Sequence, residues 1–172
     1  MVSKIITPSS IDASGTASSS TFLRGDGAWA VPSDNGKVLQ VLNATSTTET
    51  VMNNNTWVDV GITLAITPSA ISSKVLITAN ASGCGKATNN TYLELRLLKD
   101  ATVLAVIEQR GGYTADTSAN KVGTISTSYL DSPSTTSATT YKLQGRSGSN
   151  NAYAQVGDSN PTHTITLMEI SG

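Results

Sequence analysis

The chain has one histidine, His163, and one cysteine, Cys84, in 172 residues. Nucleophilic catalysis needs a base beside its nucleophile, so a histidine-based hydrolytic site would have to use His163. That residue stands in the alternating segment Thr162-His163-Thr164-Ile165, where a solvated or interface imidazole is expected. No serine sits in a nucleophile-elbow glycine pattern. Cys84 lies between Gly83 and Gly85 in a predicted loop. It reads as a free thiol or a small buried hydrophobe, and suggests no catalysis without a basic partner. Asp59, Glu94, Asp100, Glu108, Asp116 and Asp131 supply carboxylates for glycoside hydrolysis, yet no spacing brings two of them together. With so few histidines and cysteines, most metal-ligand sets are also missing. The expectation is a protein that is not an enzyme and holds neither metal nor cofactor.

Composition points the same way. Only 13% of the chain is charged, against about a quarter in ordinary soluble domains. Twelve acidic and eleven basic residues leave a formal charge of −1, so no electrostatic footprint for nucleic acid or an anionic membrane is present. No apolar run approaches the roughly 20 residues of a membrane span, and MVSKIITPSSID lacks the apolar core of a signal peptide. Asn-x-Ser/Thr matches begin at Asn43, Asn54, Asn80 and Asn89, but a chain rich in Asn, Ser and Thr yields them by chance.

The elements that would position any site are strands. Short apolar or alternating runs recur from Lys37 onward between turn-formers, and none shows the i, i+3, i+4, i+7 pattern of a helix. Predicted strands begin with Lys37–Leu42 and Thr47–Met52. Trp57–Val60 and Ile62–Ile66 follow, with Gly61 between them as a bulge and Trp57 directed to the core. Lys74–Asn80 comes next, broken by Gly83-Cys84-Gly85. Tyr92–Leu97 alternates, which points Leu93, Leu95 and Leu97 inward and Tyr92, Glu94 and Arg96 outward. Lys99-Asp100-Ala101 reads as a hairpin connection into Thr102–Glu108, and strands near Val122–Leu130, Ala138–Gln144 and Thr164–Ile170 complete the set. Eight to ten strands at this spacing predict an all-β, antiparallel two-sheet β-sandwich over residues 37–172.

Residues 1–36 read as an extended N-terminal stem or anchor. They are too polar to offset their ordering entropy by burial and would become ordered against a partner chain. Phe22, Leu23 and Trp29 are the few apolar anchors of this stretch. Arg24-Gly25-Asp26 matches an adhesion tripeptide of very low specificity, and its flanking glycines favour a turn.

The segment Ala13–Trp29, with Ser18-Ser19-Ser20-Thr21-Phe22-Leu23-Arg24-Gly25-Asp26-Gly27-Ala28-Trp29 at its centre, resembles a connector that recurs in the stems of bacteriophage tail fibres. Thr56-Trp57-Val58-Asp59-Val60-Gly61, Ile66-Thr67-Pro68, Ser72–Ile77, Tyr129–Pro133 and Tyr141–Gln144 are similar to a domain at the C-terminal ends of such fibres, notably in phages of cyanobacteria and marine bacteria. The resemblance implies a homotrimeric virion surface protein made in the host bacterial cytoplasm. It implies a jelly roll in the style of tumour-necrosis-factor and C1q heads. It also implies that residues 1–36, with Phe22, Leu23, Arg24, Asp26 and Trp29, join other virion proteins of the tail, baseplate or capsid. Only Met1–Asp12 precede the connector, so the chain reads as a small accessory fibre or as one whose N-terminus docks directly on the particle.

Two functions follow from that resemblance. In the first, a receptor-binding tip attaches the particle to a host surface polysaccharide or protein. Tyr113 and Tyr153, in predicted loops, would be stacking platforms supported by Asn120, Asn150 and Asn151. The same tyrosines fit rim or subunit-interface packing equally well. In the second, the trimer decorates or cements the capsid, gripping it through residues 1–36.

Overall fold

The computed structural model describes residues 12–33, 36–116, 118–149, 154–156 and 160–172, with the backbone alone of Ala154 and Gln155. Among them every regular element is a strand, and the chain divides into two compact units at Asn35/Gly36.

In the first unit, β1 (Phe22–Leu23) and β2 (Trp29–Ala30) form a short antiparallel hairpin. Its turn is closed by Gly27 N–H donating to Arg24 O at 3.0 Å and by Asp26 Oδ1 accepting from Ala28 N at 3.2 Å. This is the side-chain-to-backbone bond that favours Asp in turns. Ser14 bridges to the same hairpin through Ser14 N to Gly27 O and Trp29 N to Ser14 O.

The second unit holds β3 (Val38–Ser46), β4 (Thr50–Met52), β5 (Val58–Ile66), β6 (Lys74–Lys86), β7 (Thr91–Lys99), β8 (Thr102–Thr114), β9 (Asn120–Asp131), β10 (Thr139–Ser147), β11 (Ala154–Val156) and β12 (His163–Ile170). The antiparallel pairs are nested: β7 with β8, β6 with β9, β5 with β10, β4 with β11, and β3 with β12. The chain is therefore one long hairpin folded back from the β7–β8 turn, where Asp100 takes φ +52°, a left-handed value that Asp tolerates. Wrapping that hairpin around itself produces two sheets. The first has the order β5-β10-β7-β8. The second has the order β3-β12-β6-β9, extended at one end by β4 and β11. This is a β-sandwich of jelly-roll type.

Alternation fixes which side chains fill the space between the sheets. Leu93, Leu95 and Leu97 of β7, Tyr141 and Leu143 of β10, Val75 and Ile77 of β6, and Ile165 and Leu167 of β12 are all fully buried. Each large aliphatic side chain so buried contributes roughly 1.5–3 kcal/mol. Gly61 has φ +74°. The β5–β10 register slips there, between the partners of Lys142 and Gln144, so the glycine forms the expected bulge within a continuous β5.

Four expectations are corrected. Gly83-Cys84-Gly85 does not break β6. The strand continues to Lys86 through register shifts against β9 after Ala81, because the bulge absorbs the glycines without ending the ladder. The strand predicted from Thr47 begins only at Thr50. Trp57 is half-buried outside the core, before β5 begins. His163 is fully buried. Its Nδ1 accepts from Ser82 N at 3.0 Å and its Nε2 faces Thr48 O at 3.2 Å, so two backbone groups are satisfied by one ring whose proton lies on Nε2.

Candidate interaction faces

Each sheet has one face in the core and one outside it, and the two outer faces differ in chemistry. On the second sheet the register places outward side chains in three rows across four strands. They are Val41-Met168-Leu76-Leu130, Asn43-Thr166-Thr78-Ser128 and Thr45-Thr164-Asn80-Ser126. None of these residues is charged. The polar rows are bonded laterally, with Asn43 Nδ2 donating to Thr166 Oγ1 at 2.9 Å and Asn80 Nδ2 to Thr164 Oγ1 at 2.6 Å. In the apolar row Val41 and Leu130 are more than half exposed, at 55% and 51%. Val38 and Leu39 prolong it at the β3 end, also exposed.

The outer face of the first sheet is crowded with charge. Asp59 of β5 accepts from Lys142 at 2.9 Å and from Gln144 at 2.7 Å, both on β10. Burial opposes the ionised Asp59 carboxylate, but these bonds and the Lys142 charge hold it below its ordinary pKa. Glu94 of β7 pairs with Arg146 of β10. Arg96 presents Nε and Nη2 to Gln144 Oε1 at 3.1 and 2.7 Å. Trp57 covers both guanidinium groups, with Arg96 Cζ 4.1 Å and Arg146 Cζ 4.5 Å from its ring centroid. That stacking explains why a tryptophan remains outside the core. Burial, and then the like charge of Arg146, lower the Arg96 pKa.

Further along this face Tyr92 and Tyr113 meet edge to face, with centroids 6.0 Å apart. Arg110 lies 5.3 Å from the Tyr92 ring centre and 5.0 Å from that of Tyr113. Tyr113, expected in a loop, is thus a strand residue of β8, which runs on to Thr114. Asn120, also expected in that loop, opens β9, and its Nδ2 donates to Gly112 O at 3.1 Å. The structure brings Tyr113 and Asn120 to neighbouring strand ends. Asn150, Asn151 and Tyr153 lie outside the described residues. In the first unit Phe22 and Leu23 are exposed, at 47% and 40%, Trp29 is half-buried, and Arg24 pairs with Asp26 at 3.1 Å. Both members of that pair are open to water, so it adds little stability.

Two of the carboxylates singled out from sequence, Asp59 and Asp100, share a depression of about 410 Å³ with Lys142. Both are already engaged, since Asp100 Oδ1 accepts from Thr140 N at 2.9 Å. Asp131, another of them, is buried and bonded to Tyr141 Oη at 2.7 Å and to Lys99 at 3.0 Å. Burial and the Asp131 carboxylate raise the Tyr141 pKa. Sequence reasoning missed the arginine–aromatic strip. Its one linear signal is the outward alternation Tyr92, Glu94, Arg96, which says nothing of Trp57, Arg110 or Arg146 on other strands.

No family model and no curated protein matches this chain. Solved structures that are similar include the infectious bursal disease virus VP2 subviral particle, at 11% identity and a TM-score of 0.46, over 83% of this chain and 40% of that one. The Gx strain of the same virus gives 13% identity and a TM-score of 0.48, over 84% and 34%. The chain therefore spans two fifths or less of the length of these two proteins.

Proposed function

We propose that this chain is a non-enzymatic structural protein of a bacteriophage particle, a short homotrimeric fibre whose jelly-roll tip attaches the virion to a host-surface glycan. The observation that carries the reading is the contrast between the outer faces of the two sheets. One carries two uncharged polar rows and an apolar row, with charge at its edge in Lys74, which suits close contact with further copies of the chain. The other is polar, aromatic and left for recognition. The resemblance of residues 13–29 to a fibre-stem connector supplies the virion setting, with Phe22, Leu23, Arg24, Asp26 and Trp29 as stem contacts. Attachment is passive, and three linked sites raise its strength by multivalency.

The test is to locate the protein on intact particles by antibody-gold labelling, and to weigh the purified protein by light scattering. Label at the tail end and a mass three times the 17.8 kDa of the chain are expected. A regular lattice of label on the head would replace the fibre reading with capsid decoration. Absence from the particle would sink both.

A further inference from the structure

We propose that the outer face of the first sheet binds an acidic oligosaccharide, a uronate-bearing chain whose carboxylates pair with Arg96 and Arg110. This deepens the attachment reading above and rests on it.

Three of the four arginines of the protein, Arg96, Arg110 and Arg146, lie on this face. The acids of the face neutralise only some of its cations. Asp59 takes Lys142 and Glu94 takes Arg146. Among the described residues no carboxylate lies within 4.0 Å of Arg96 or Arg110. Arg96 is nevertheless held in place, by two bonds to the neutral Gln144 amide and by the Trp57 ring. With its Nε–Nη2 side taken by Gln144, this fixed and uncompensated guanidinium keeps its Nη1 protons and one Nη2 proton for a carboxylate, which that end of the fork recognises in bidentate geometry. The lowered Arg96 pKa has the sign expected of a cation lacking a counter-charge.

Arg110, further along the strip, shares with Arg96 the missing carboxylate partner and the neighbouring aromatic rings. It is exposed between Tyr92 and a Tyr113 ring that is itself 45% exposed. Tyr92 and Arg96 are four residues apart on β7, about 13 Å along the strand. The register sets Arg110 across from the Leu93–Leu95 stretch of β7 with its guanidinium beside the Tyr92 ring, so the two cations occupy different positions along the strip and match an oligomer carrying more than one carboxylate. Aromatic rings offer stacking surface to its apolar sugar faces. A nucleic acid fits less well, because Glu94 and Asp59 interrupt the cations and the net charge is −1, whereas a phosphate backbone demands continuous positive charge.

The closing experiment is calorimetric titration of the purified full-length protein at millimolar ligand. The ligands are oligogalacturonate, alginate oligomers, hyaluronan oligomers, methyl-esterified oligogalacturonate, dextran sulfate and oligo(dT). At least one uronate series is expected to bind and to weaken with salt, and the esterified form to bind at least about tenfold more weakly. Arg96→Gln and Arg110→Gln are each expected to weaken uronate binding by about tenfold or more in a domain that stays folded, the Arg96 variant melting lower through its lost Gln144 bonds and Trp57 stacking. Lys37→Gln serves as a charge-matched control outside the face. Failure of all three uronates, equal binding of the ester, preference for dextran sulfate or oligo(dT), or indifference to both arginine substitutions would overturn the proposal. Particle labelling is independent of this titration, so a protein found at the tail end that binds no uronate loses this site and keeps the attachment reading.

Discussion

The two outer faces of the sandwich are built on the same ladder geometry and obey the same period-two alternation, yet they solve opposite problems. On the second sheet, the rows running from Val41 to Leu130 and from Thr45 to Ser126 carry no charge, and Asn43 and Asn80 bond sideways to Thr166 and Thr164. On the first sheet, Asp59, Lys142, Glu94, Arg146 and Arg96 form cross-strand pairs that keep the face hydrated and leave two guanidinium groups to spare. An uncharged surface loses little on being covered, whereas a charged one must be desolvated or matched. The difference separates a surface suited to permanent contact from one suited to selective, reversible contact.

Substitutions can break that contrast, and the largest effect belongs to the layer the two faces share. Leu95 is fully buried on β7 between the outward Glu94 and Arg96. Leu95→Asp places an unpaired charge in the core and should cost about 4 kcal/mol or more, unfolding the domain. Glu94→Gln, one position away, should cost only about 1 kcal/mol through its lost pair with Arg146. Thermal unfolding followed by circular dichroism reads both, and equal tolerance would mean that the faces are wrongly assigned.

Next comes Met168→Arg in the apolar row of the second sheet. It should leave the domain folded and convert the proposed trimer to monomers in light scattering, while Arg96→Gln on the other face leaves the mass unchanged. The reverse pattern would exchange the roles of the two faces.

Gly145→Ala should cost about 1–3 kcal/mol, because a Cβ there would lie 2.7 Å from Met52 Sδ and 3.0 Å from Leu95 and Val60 atoms. Chemical denaturation measures that loss.

A further effect depends on pH. Glu169 of β12 is buried, and burial alone would raise its pKa. Bonds from Ser69 Oγ, Gln40 Nε2 and Ser69 N outweigh burial and hold it at about 2 instead of 4.5. The folded state therefore binds fewer protons than the unfolded one between these values. Its stabilising contribution is complete above about pH 4.5 and is lost as the pH falls towards 2. Glu169→Gln should flatten the melting temperature over that interval, and an unchanged acid slope would assign the loss to other carboxylates.

Much of the fold was legible because a half-buried strand writes its alternation into local sequence. Leu93, Leu95 and Leu97 were readable as core from spacing alone, and Gly61 as a bulge from its place between two apolar runs. The errors arose where a local signal competed with tertiary context. Gly83 and Gly85 look like a break, but β9 supplies pairing partners on both sides of the bulge. His163 looks polar enough for solvent, but Ser82 N and Thr48 O give it two partners inside. Cys84 in β6 followed its neighbours inward, and burial pushes its thiol up to about 12. The candidate ligand residues were half legible. Tyr113 is legible as an exposed aromatic, though it belongs to a strand and not a loop, while nothing in the local sequence brings Arg96, Arg110, Arg146 and Trp57 onto one face.

The sequence by itself determined the all-β class, the strand faces, the turn at Arg24–Gly27 and the shortage of catalytic side chains, since each depends on residues only a few positions apart. Tertiary structure alone decided which strands became neighbours. Asn43 meets Thr166, Asp59 meets Lys142 and Gln144, and Arg96 meets Trp57. The first two meetings cross more than 80 positions of chain. Only closure of the nested hairpin creates them, and they give each face its charge.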